Sequence, residues 1–405
     1  MEQLFPPLTE EARRLLDTLP ALTDRALPLP GRFRAGLARN VAELSRLLTS
    51  GRGECRESYL GEGPFLSAYL RYFLPWNVYR LARLLPSLTL PLGSGAAVTD
   101  LGSGPLTFPI ALWISRPDLR NIPLEFRCLD RAAPALEAGK KLFAALSGGG
   151  CPWKIKTIHA SLGETIRFSR AGLVTAINLF NELFWKLPRT DHAGLAAFAE
   201  KQARLLSSLC LETGSVLTLE PGVPRCGEFL SLLREAFSVR GRFPQAPCVH
   251  VGPCPMPGAS PSGTPSASRS SGPEAKWCHF VFDTAGAPAS LLRLSEAALI
   301  PKERSTLSFL LTGPLSGAAM EEPSVNSAPK SAGALAARII SDAFPLGDTR
   351  SFGRYGCSCR GLALVSGKRG DMEGLKSGTL ETFAVKIPEQ RDKKSGALMA
   401  GLRGE

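Results

Sequence analysis

The chain has 405 residues, of which 44% are hydrophobic, and carries a formal net charge of +12 with an isoelectric point of about 9.4. This hydrophobic content excludes a wholly disordered chain, and the length predicts two domains with appendages. The positive charge favours a polyanionic partner, most simply RNA, and a solvated basic surface is the alternative. No run of residues approaches the ~20 apolar positions of a membrane span, so we expect no membrane association.

The beginning of the sequence lacks a basic segment followed by an apolar core, which a secretory leader would show. We therefore expect a cytoplasmic protein. In that compartment the ten cysteines are thiols or metal ligands rather than disulfides. We also expect the protein to be a monomer.

The N-terminal region, residues 1–90, has apolar residues at helical spacing and is predicted to form a helical domain. Thr9 is a candidate N-cap for its first helix. A second helical block covers residues 59–85 and is interrupted by Pro75. The arginines of this region are candidates for contact with RNA, although such residues more often form the solvated side of amphipathic helices.

A short apolar run, residues 96–100, ends in an acid and leads into a turn with glycines at positions 102 and 104. A strand that turns through two glycines brings bare backbone N–H groups to a ligand, because neither glycine has a Cβ in the way. We expect Pro105 in the first turn of a helix over 106–114. The ligand would then lie at the carboxyl end of the first strand of an open α/β sheet.

A second strand, Leu124–Asp130, also ends in an acid and follows the first by the distance that a βαβ unit requires. An acid at this place accepts two hydrogen bonds from the hydroxyls of a ribose. The dinucleotide pattern needs a third glycine where Thr107 stands, so S-adenosylmethionine (SAM) is favoured over NAD. A fold that keeps this turn without any ligand is a further alternative.

Further strands alternate with helices along the next hundred residues. The strands are expected at 154–160, 173–180 and 215–220, and the helices at 136–146, 192–209 and 227–237. This alternation predicts a doubly wound parallel sheet. Asn178 and the segment Asn181–Leu183 lie at the end of the fourth strand, where a SAM contact or a catalytic group is expected. No catalytic residue can be named, because the chain has neither an Asp-Pro-Pro-Tyr signature nor a nucleophilic cysteine motif.

The cysteines fall into two groups. Those isolated in apolar or helical settings are interpreted as packing residues: Cys55, Cys128, Cys151, Cys210 and Cys226. The others lie on three separate predicted loops: Cys248 with Cys254, Cys278 alone, and Cys357 with Cys359. Loops of this kind in a cytoplasmic chain indicate one site with four thiolates, either an iron–sulfur cluster or a structural zinc. Unrelated surface thiols are the alternative.

The C-terminal half is predicted to be a mixture of strands and loops. Residues 246–385 would hold the cysteine loops and several strands, with low-complexity insertions at 256–275 and 313–333. Residues 386–405 are predicted to form a disordered basic tail. The α/β domain would therefore occupy residues 91–245.

Several short motifs together resemble a family of methyltransferase-like proteins that is associated with the small ribosomal subunit in mitochondria and has bacterial relatives. The similarity runs from Tyr69 to Leu364. The motifs that carry it are Asp100–Gly104, Leu129–Arg131, Asn181–Leu183, Glu220–Arg225, Ala246–Cys254 and Trp277–Phe280.

The resemblance implies a class I SAM-methyltransferase-like doubly wound sheet, with SAM bound at Asp100, Gly102, Ser103, Gly104 and Asp130. It also implies a [4Fe–4S] cluster on Cys248, Cys254, Cys278 and one C-terminal cysteine. Cys357 fits the family spacing better than Cys359, because the family cysteine precedes a glycine by four positions, as Cys357 precedes Gly361.

Two functions remain open on this sequence. The first is an SAM-dependent RNA methyltransferase, which would align the methyl group with a nucleophile of RNA; a structural zinc in place of the cluster belongs to this alternative. The second is a non-catalytic factor that binds small-subunit rRNA or a ribosome assembly intermediate. An asparagine rather than an acid at position 178, and the absence of a general-base motif, favour the second function.

Overall fold

The computed structural model describes residues 2–54, 59–61, 63–162, 169–256, 276–315, 333–347 and 351–402. Two sheets organise these residues: an eight-stranded sheet flanked by helices and a seven-stranded C-terminal sheet. No helix in the described ranges is both long and apolar enough to cross a membrane.

The strands, in chain order, are β1 (Glu2–Gln3), β2 (Ala96–Leu101), β3 (Leu124–Asp130), β4 (Lys154–His159), β5 (Ala171–Ile177), β6 (Cys210–Glu220), β7 (Phe243–Ala246), β8 (Phe280–Asp283), β9 (Arg304–Gly313), β10 (Ala334–Ile339), β11 (Phe344–Pro345), β12 (Ser351–Ser358), β13 (Gly361–Lys368), β14 (Thr379–Val385) and β15 (Leu398–Gly401). The helices are α1 (Glu10–Ala26), α2 (Gly31–Arg34), α3 (Leu37–Leu48), α4 (Gly63–Ala68), α5 (Leu74–Leu84), α6 (Thr107–Ser115), α7 (Ala133–Ser147), α8 (Phe180–Leu183), α9 (His192–Leu209), α10 (Pro224–Ser238), α11 (Ala289–Ala297) and α12 (Arg369–Gly374).

The first sheet has the strand order β4-β3-β2-β5-β6-β9-β7, with β8 paired to β9. Strands β2 to β6 run parallel, and β9 is antiparallel to both β6 and β7. The chain crosses from β4 at one edge back past β2 to β5, so the strand order reverses at β2. A crevice for a ligand is expected at the carboxyl end of the strands at such a reversal. The predicted doubly wound sheet is confirmed.

Among the element boundaries that differ from the prediction, two lie at the ligand edge of the sheet. Helix α6 begins at Thr107, after Pro105, because Leu106 adopts a left-handed conformation with φ +59°. Strand β5 ends at Ile177, because Asn178 is also left-handed, with φ +54°. Non-glycine residues adopt this conformation at a cost of roughly 1–2 kcal/mol, so the surrounding structure holds both in place.

The N-terminal residues form the predicted helices, but they do not pack as a separate unit. The Phe5 ring lies 4.9 Å from that of Phe282 and 5.4 Å from that of Phe280 on β8. Arg83 of α5 donates hydrogen bonds to the carbonyl oxygens of Phe5 and Pro6. Strand β1 pairs with β14 of the second sheet. The helices therefore share one apolar core with the α/β sheet.

The second sheet closes on itself. Its strands follow the order β10-β12-β13-β15-β14, and β14 pairs back to β10. Strands β13 and β15 are parallel, the other pairs of this ring are antiparallel, and α12 lies between β13 and β14. A five-stranded Greek-key closure of this kind is the OB-fold, which binds oligonucleotides and oligosaccharides in other proteins.

The barrel corrects the expectation of a disordered tail over 386–405. Residues 386–402 are ordered, because Leu398 and Ala400 of β15 are buried in the barrel interior. Of the two predicted low-complexity insertions, 257–275 and 316–332 lie outside the described residues. The flanking positions are ordered: Met256 is buried and Gly313 belongs to β9.

Candidate functional site

The turn after β2 presents open backbone at the carboxyl edge of the sheet. Gly102 and Gly104 have φ +65° and +52°. A Cβ added to Gly102 would lie 2.7 Å from Leu179 Cδ1, so this glycine permits close packing behind the turn. A Cβ added to Gly104 would meet no atom within 4 Å. The turn is therefore closed on the side of Gly102 and open in front of Gly104, where a ligand has access to the backbone.

Asp100 holds the turn together from below. Its carboxylate is buried and accepts hydrogen bonds from Ser103 Oγ and Thr175 Oγ1, both at 2.5 Å. Burial raises the pKa of Asp100 to about 6. Because both carboxylate oxygens and the Ser103 hydroxyl already have partners, these two side chains shape the turn. Their contact with a ligand would require an additional hydrogen bond or a change of partner.

Asp130, at the end of β3, connects the second strand to the turn. One carboxylate oxygen accepts from the Gly104 N–H and the other from the Ala132 N–H, each at 2.8 Å. Burial raises the pKa of this carboxyl group. The acid predicted from the sequence thus lies at the expected edge and fixes the orientation of the Gly104 peptide.

A buried polar network continues the site at the ends of β5 and β6. Glu220 accepts from the backbone N–H groups of Phe180 and Asn181 and from Asn181 Nδ2, at 2.8, 3.2 and 2.6 Å. Burial raises the pKa of Glu220 to about 7. The Oδ1 atoms of Asn178 and Asn181 are buried and accept no hydrogen bond from the described residues. Buried acceptors without partners match a ligand that carries N–H or O–H donors.

Glu182 adds a further acid on the same side. Its Oε1 accepts from Tyr59 Oη at 3.0 Å, its Oε2 lies 3.6 Å from Arg131 Nη2, and burial raises its pKa. Tyr69 lies beside both Glu182 and Asp130. The edge therefore gathers buried carboxyl groups and unpartnered amide oxygens, an environment that attracts a cationic ligand.

A second site lies at the junction of the two sheets. A small cavity, partly open to solvent, is lined by Cys248, Cys254, Cys278 and Cys357. These four thiols lie close enough to interact electrostatically with one another. Cys357 reaches the cavity from strand β12 of the barrel, rather than from the loop that the sequence predicted.

Helix α10 forms one wall of this cavity and supplies a cation. Arg234 is buried, donates from Nη2 to the carbonyl oxygens of His250 and Gly252 at 3.1 and 2.5 Å, and lies beside Cys248 and Cys254. Its Nε has no hydrogen-bond partner among the described residues. A buried, partly unsatisfied guanidinium beside thiols matches an anionic occupant.

Three thiols of this cavity have raised pKa values. Burial and the nearby Cys248 together raise the pKa of Cys254 to about 11. Burial likewise raises the pKa values of Cys278 and Cys357. His250, whose Nε2 lies 3.7 Å from Cys357 Sγ, has its pKa lowered to about 4 by burial and by Arg234. A metal bound here would displace thiol protons.

The other cysteines of the described residues do not line this cavity. Cys359 is exposed on the turn after β12 and does not line the cavity, whereas Cys128, Cys210 and Cys226 are buried in apolar surroundings. Cys55 lies outside the described residues. All nine cysteines in the described ranges are free thiols. Within these ranges, no group of three or more His, Cys, Asp or Glu side chains is arranged to hold a single metal ion as it stands.

No family model and no curated protein matches this chain. Among solved structures, a precorrin-6y C5,15-methyltransferase of Geobacter metallireducens is 11% identical, with a TM-score of 0.30 over 55% of this chain and 84% of that chain. Fibrillarin of Aeropyrum pernix, solved with natively bound SAM, is 16% identical, with a TM-score of 0.29 over 44% and 72%. A methyltransferase of Pyrococcus furiosus is 11% identical, with a TM-score of 0.28 over 40% and 72%. No residue role is transferred from likenesses of this size.

Sequence reasoning did not assign site roles to Glu220, Tyr59 or Arg234. Glu220 belongs to a short motif that the sequence analysis singled out, and its position at a strand end was a usable signal. The sequence around Tyr59 and Arg234 does not indicate a site. Both residues lie in helical segments, where the hydrophobic pattern identifies the apolar face that packs into the core and no polar site residue. The sequence could not indicate which polar residues of those segments turn inward.

Proposed function

We propose that this chain is a SAM-binding, methyltransferase-like protein that acts on or binds small-subunit rRNA. One observation carries the assignment of the cofactor site: the turn is open in front of Gly104, and Asn178 Oδ1, just after the neighbouring strand β5, is a buried acceptor without a partner among the described residues. The sheet order, with an antiparallel β9 between β6 and β7, is consistent with the class I methyltransferase-like fold that the sequence predicts.

SAM suits the electrostatics of this edge. Its sulfonium and amino groups are cations, and burial raises the pKa values of the surrounding carboxyl groups of Asp130, Glu182 and Glu220, an effect that a cationic ligand would oppose. In this proposal the ligand lies against the backbone of Gly102, Ser103 and Gly104, although the N–H groups of Ser103 and Gly104 donate to Leu129 O and Asp130 within the protein. Asp100 holds the turn, and Asn178 accepts a hydrogen bond from the ligand. Asp130 would accept from the ribose with lone pairs that its backbone bonds leave unused.

We further propose that Cys248, Cys254, Cys278 and Cys357 hold a [4Fe–4S] cluster. The donor set fits: four thiols from separate segments line one cavity, with the unpaired Nε of Arg234 beside them. A [4Fe–4S] cluster is held by four Cys thiolates. The cluster would supply covalent attachment of β12 to the α/β sheet and a redox-active group. A structural zinc, in an active RNA methyltransferase, is the second candidate; the cluster is favoured because the chain lacks the closely spaced Cys-x-x-Cys pairs that zinc sites usually have.

RNA is the polyanion that the fold favours as partner. The OB-like barrel places its loop between β14 and β15 on the surface, where Lys386, Arg391, Lys393 and Lys394 are exposed. Loops of this position contact oligonucleotides in OB-folds. The overall charge of +12 adds a long-range attraction. An assay with rRNA and labelled SAM distinguishes a protein that transfers a methyl group from one that serves as an assembly factor.

Calorimetric titration with SAM tests the proposed cofactor. The wild type should bind, and Asp130→Ala should bind about 10- to 100-fold more weakly, because a hydrogen bond to a charged group contributes about 1.5–3 kcal/mol. Asp118→Ala is the matched control, since Asp118 pairs only with Arg116 on the surface and is remote from the turn. Absence of binding by the wild type would refute the cofactor assignment, and equal binding by Asp130→Ala would refute the role of Asp130.

A further inference from the structure

Two cations lie together at the carboxyl edge of the sheet without an acidic partner. Arg80 of α5 donates from Nε to Ser305 Oγ at 3.1 Å and from Nη1 to Asn77 Oδ1 at 2.9 Å. Lys302, which precedes β9, has its Nζ 5.2 Å from the ring centroid of Trp76 and 5.6 Å from that of Tyr72. All these partners are neutral, and no carboxylate of the described residues forms an ion pair with either cation.

This arrangement is electrostatically unfavourable as it stands. Both side chains are half-buried, and the Lys302 ammonium is close enough to Arg80 to be repelled by it. Burial and, to a lesser extent, the nearby Arg80 lower the pKa of Lys302 to about 7. Buried charges in proteins are ordinarily paired. An anion between the two side chains would remove the repulsion, and their partial exposure leaves a path for it.

The position of the pair relates it to the candidate SAM site. Ser305 lies on the part of β9 that extends past the carboxyl end of β6, where Glu220 pairs with Ser308. Tyr69 connects the two places, since it interacts with Asn77 and Arg80 on one side and with Glu182 and Asp130 on the other. The sheet edge thus has an acidic half at the glycine turn and a basic half at Arg80 and Lys302.

We propose that Arg80 and Lys302 bind a phosphodiester of the RNA substrate and so hold a nucleotide beside the SAM site. A guanidinium presents a planar set of donors that suits phosphate oxygens, and an ammonium acts as a point charge on the same group. The identity of the polyanion as RNA rests on the function proposed above. The presence of an oxyanion site at Arg80 and Lys302 is independent of that function.

Fluorescence anisotropy with a single-stranded RNA 12-mer tests the site. Arg80→Gln and Lys302→Gln should each weaken binding about five- to tenfold at low salt and lower the salt slope by about 0.7, the change expected for one lost phosphate contact. Lys302→Arg should retain affinity. Lys154→Gln is the control, because it removes the same charge from the amino end of the edge strand β4. Equal affinities of Lys302→Gln and Lys154→Gln would overturn the proposal.

Proton uptake gives a readout that a purely structural role would not produce. An anion beside Lys302 raises the pKa of its ammonium, so RNA binding by the wild type at pH 8 should take up close to one proton. Calorimetry in two buffers of different ionisation heat measures this uptake, and Lys302→Gln should show none. Arg80 and Tyr72 are the titratable groups that face Lys302, and both keep their protons at pH 8. The same uptake in both proteins would contradict the proposal.

Two further arms separate the possible failures. Sulfate that binds the wild type but not Lys302→Gln, with unchanged RNA affinity of the variant, would show a site for a free oxyanion and overturn the phosphodiester proposal. SAM titration of the same preparations reports separately on the proposed cofactor: SAM binding that fails while the Lys302 effects persist would refute that function and leave the phosphate site intact. Thermal unfolding of each variant verifies that it is folded.

Discussion

Substitution of Gly104 by alanine separates binding of a ligand from stability of the turn. Gly104 has φ +52°, a left-handed conformation that costs an alanine roughly 1–2 kcal/mol. The new methyl group would contact no protein atom within 4 Å, so it creates no steric clash in the free protein. The methyl group would instead occupy the space in front of the turn. We therefore expect SAM affinity to fall at least about tenfold. The free energy of unfolding should fall only by the cost of the backbone strain.

Gly95→Ala provides the matched control. Gly95 has φ +76° and likewise no atom within 4 Å of an added Cβ, but it lies in the turn before β2, at the amino edge of the sheet. The two variants should lose similar stability in urea unfolding, about 1–2 kcal/mol each. Only Gly104→Ala should lose SAM affinity in calorimetry.

Equal SAM affinity of Gly104→Ala and Gly95→Ala would refute the placement of the ligand at the turn. A much larger loss of stability for Gly104→Ala than for Gly95→Ala would show that the space in front of Gly104 is filled by protein, and the geometric reasoning would then be wrong.

Glu220→Gln should alter the pH dependence of stability. The carboxyl pKa is raised from 4.5 to about 7 in the folded protein, so its contribution to stability is fully present below about pH 4.5 and is lost as the pH rises through 7. In urea unfolding, the wild type should lose about 3 kcal/mol relative to Glu220→Gln between pH 4.5 and 8; parallel pH profiles would contradict this. Binding of small-subunit rRNA should weaken linearly in log affinity with log salt, with a slope near −0.7 for each phosphate engaged. A double Lys393→Gln, Lys394→Gln variant should show a shallower slope, and a flat response of the wild type would count against RNA as partner.

The parallel strands and the glycine turn could be predicted because they are local patterns. Strand β3 has the predicted bounds Leu124–Asp130. Asp100 and Asp130 lie at the ends of their strands, as the sequence predicts. The hydrogen bonds of Asp100 could not be predicted, since Thr175 comes from a strand 75 positions away. Position along a strand is a local property, whereas the direction of a buried carboxylate depends on neighbouring strands.

The barrel was not predicted because most of its strands lack regular alternation; β13 is the exception, since residues 361–366 alternate. Strand β12 contains Gly353 and Gly356, and both faces of it are buried, so its sequence resembles a loop. Strand β15 has four residues next to a basic segment, and its apolar residues gain a role only when β13 and β14 lie beside it. The four cysteines that the family resemblance implies as ligands nevertheless line one cavity, although the strand pattern around Cys357 is weak.

The metal content of protein purified without oxygen tests the central claim most directly. The wild type should be brown and hold about four iron and four sulfide per chain, as a [4Fe–4S] cluster requires. Cys254→Ser should lose the colour and much of its thermal stability, because the link between β12 and the α/β sheet is lost. Cys359→Ser should match the wild type, since Cys359 is exposed away from the cavity. A colourless protein with one zinc would contradict the cluster, and a metal-free protein in which Cys254→Ser is as stable as the wild type would contradict the whole site.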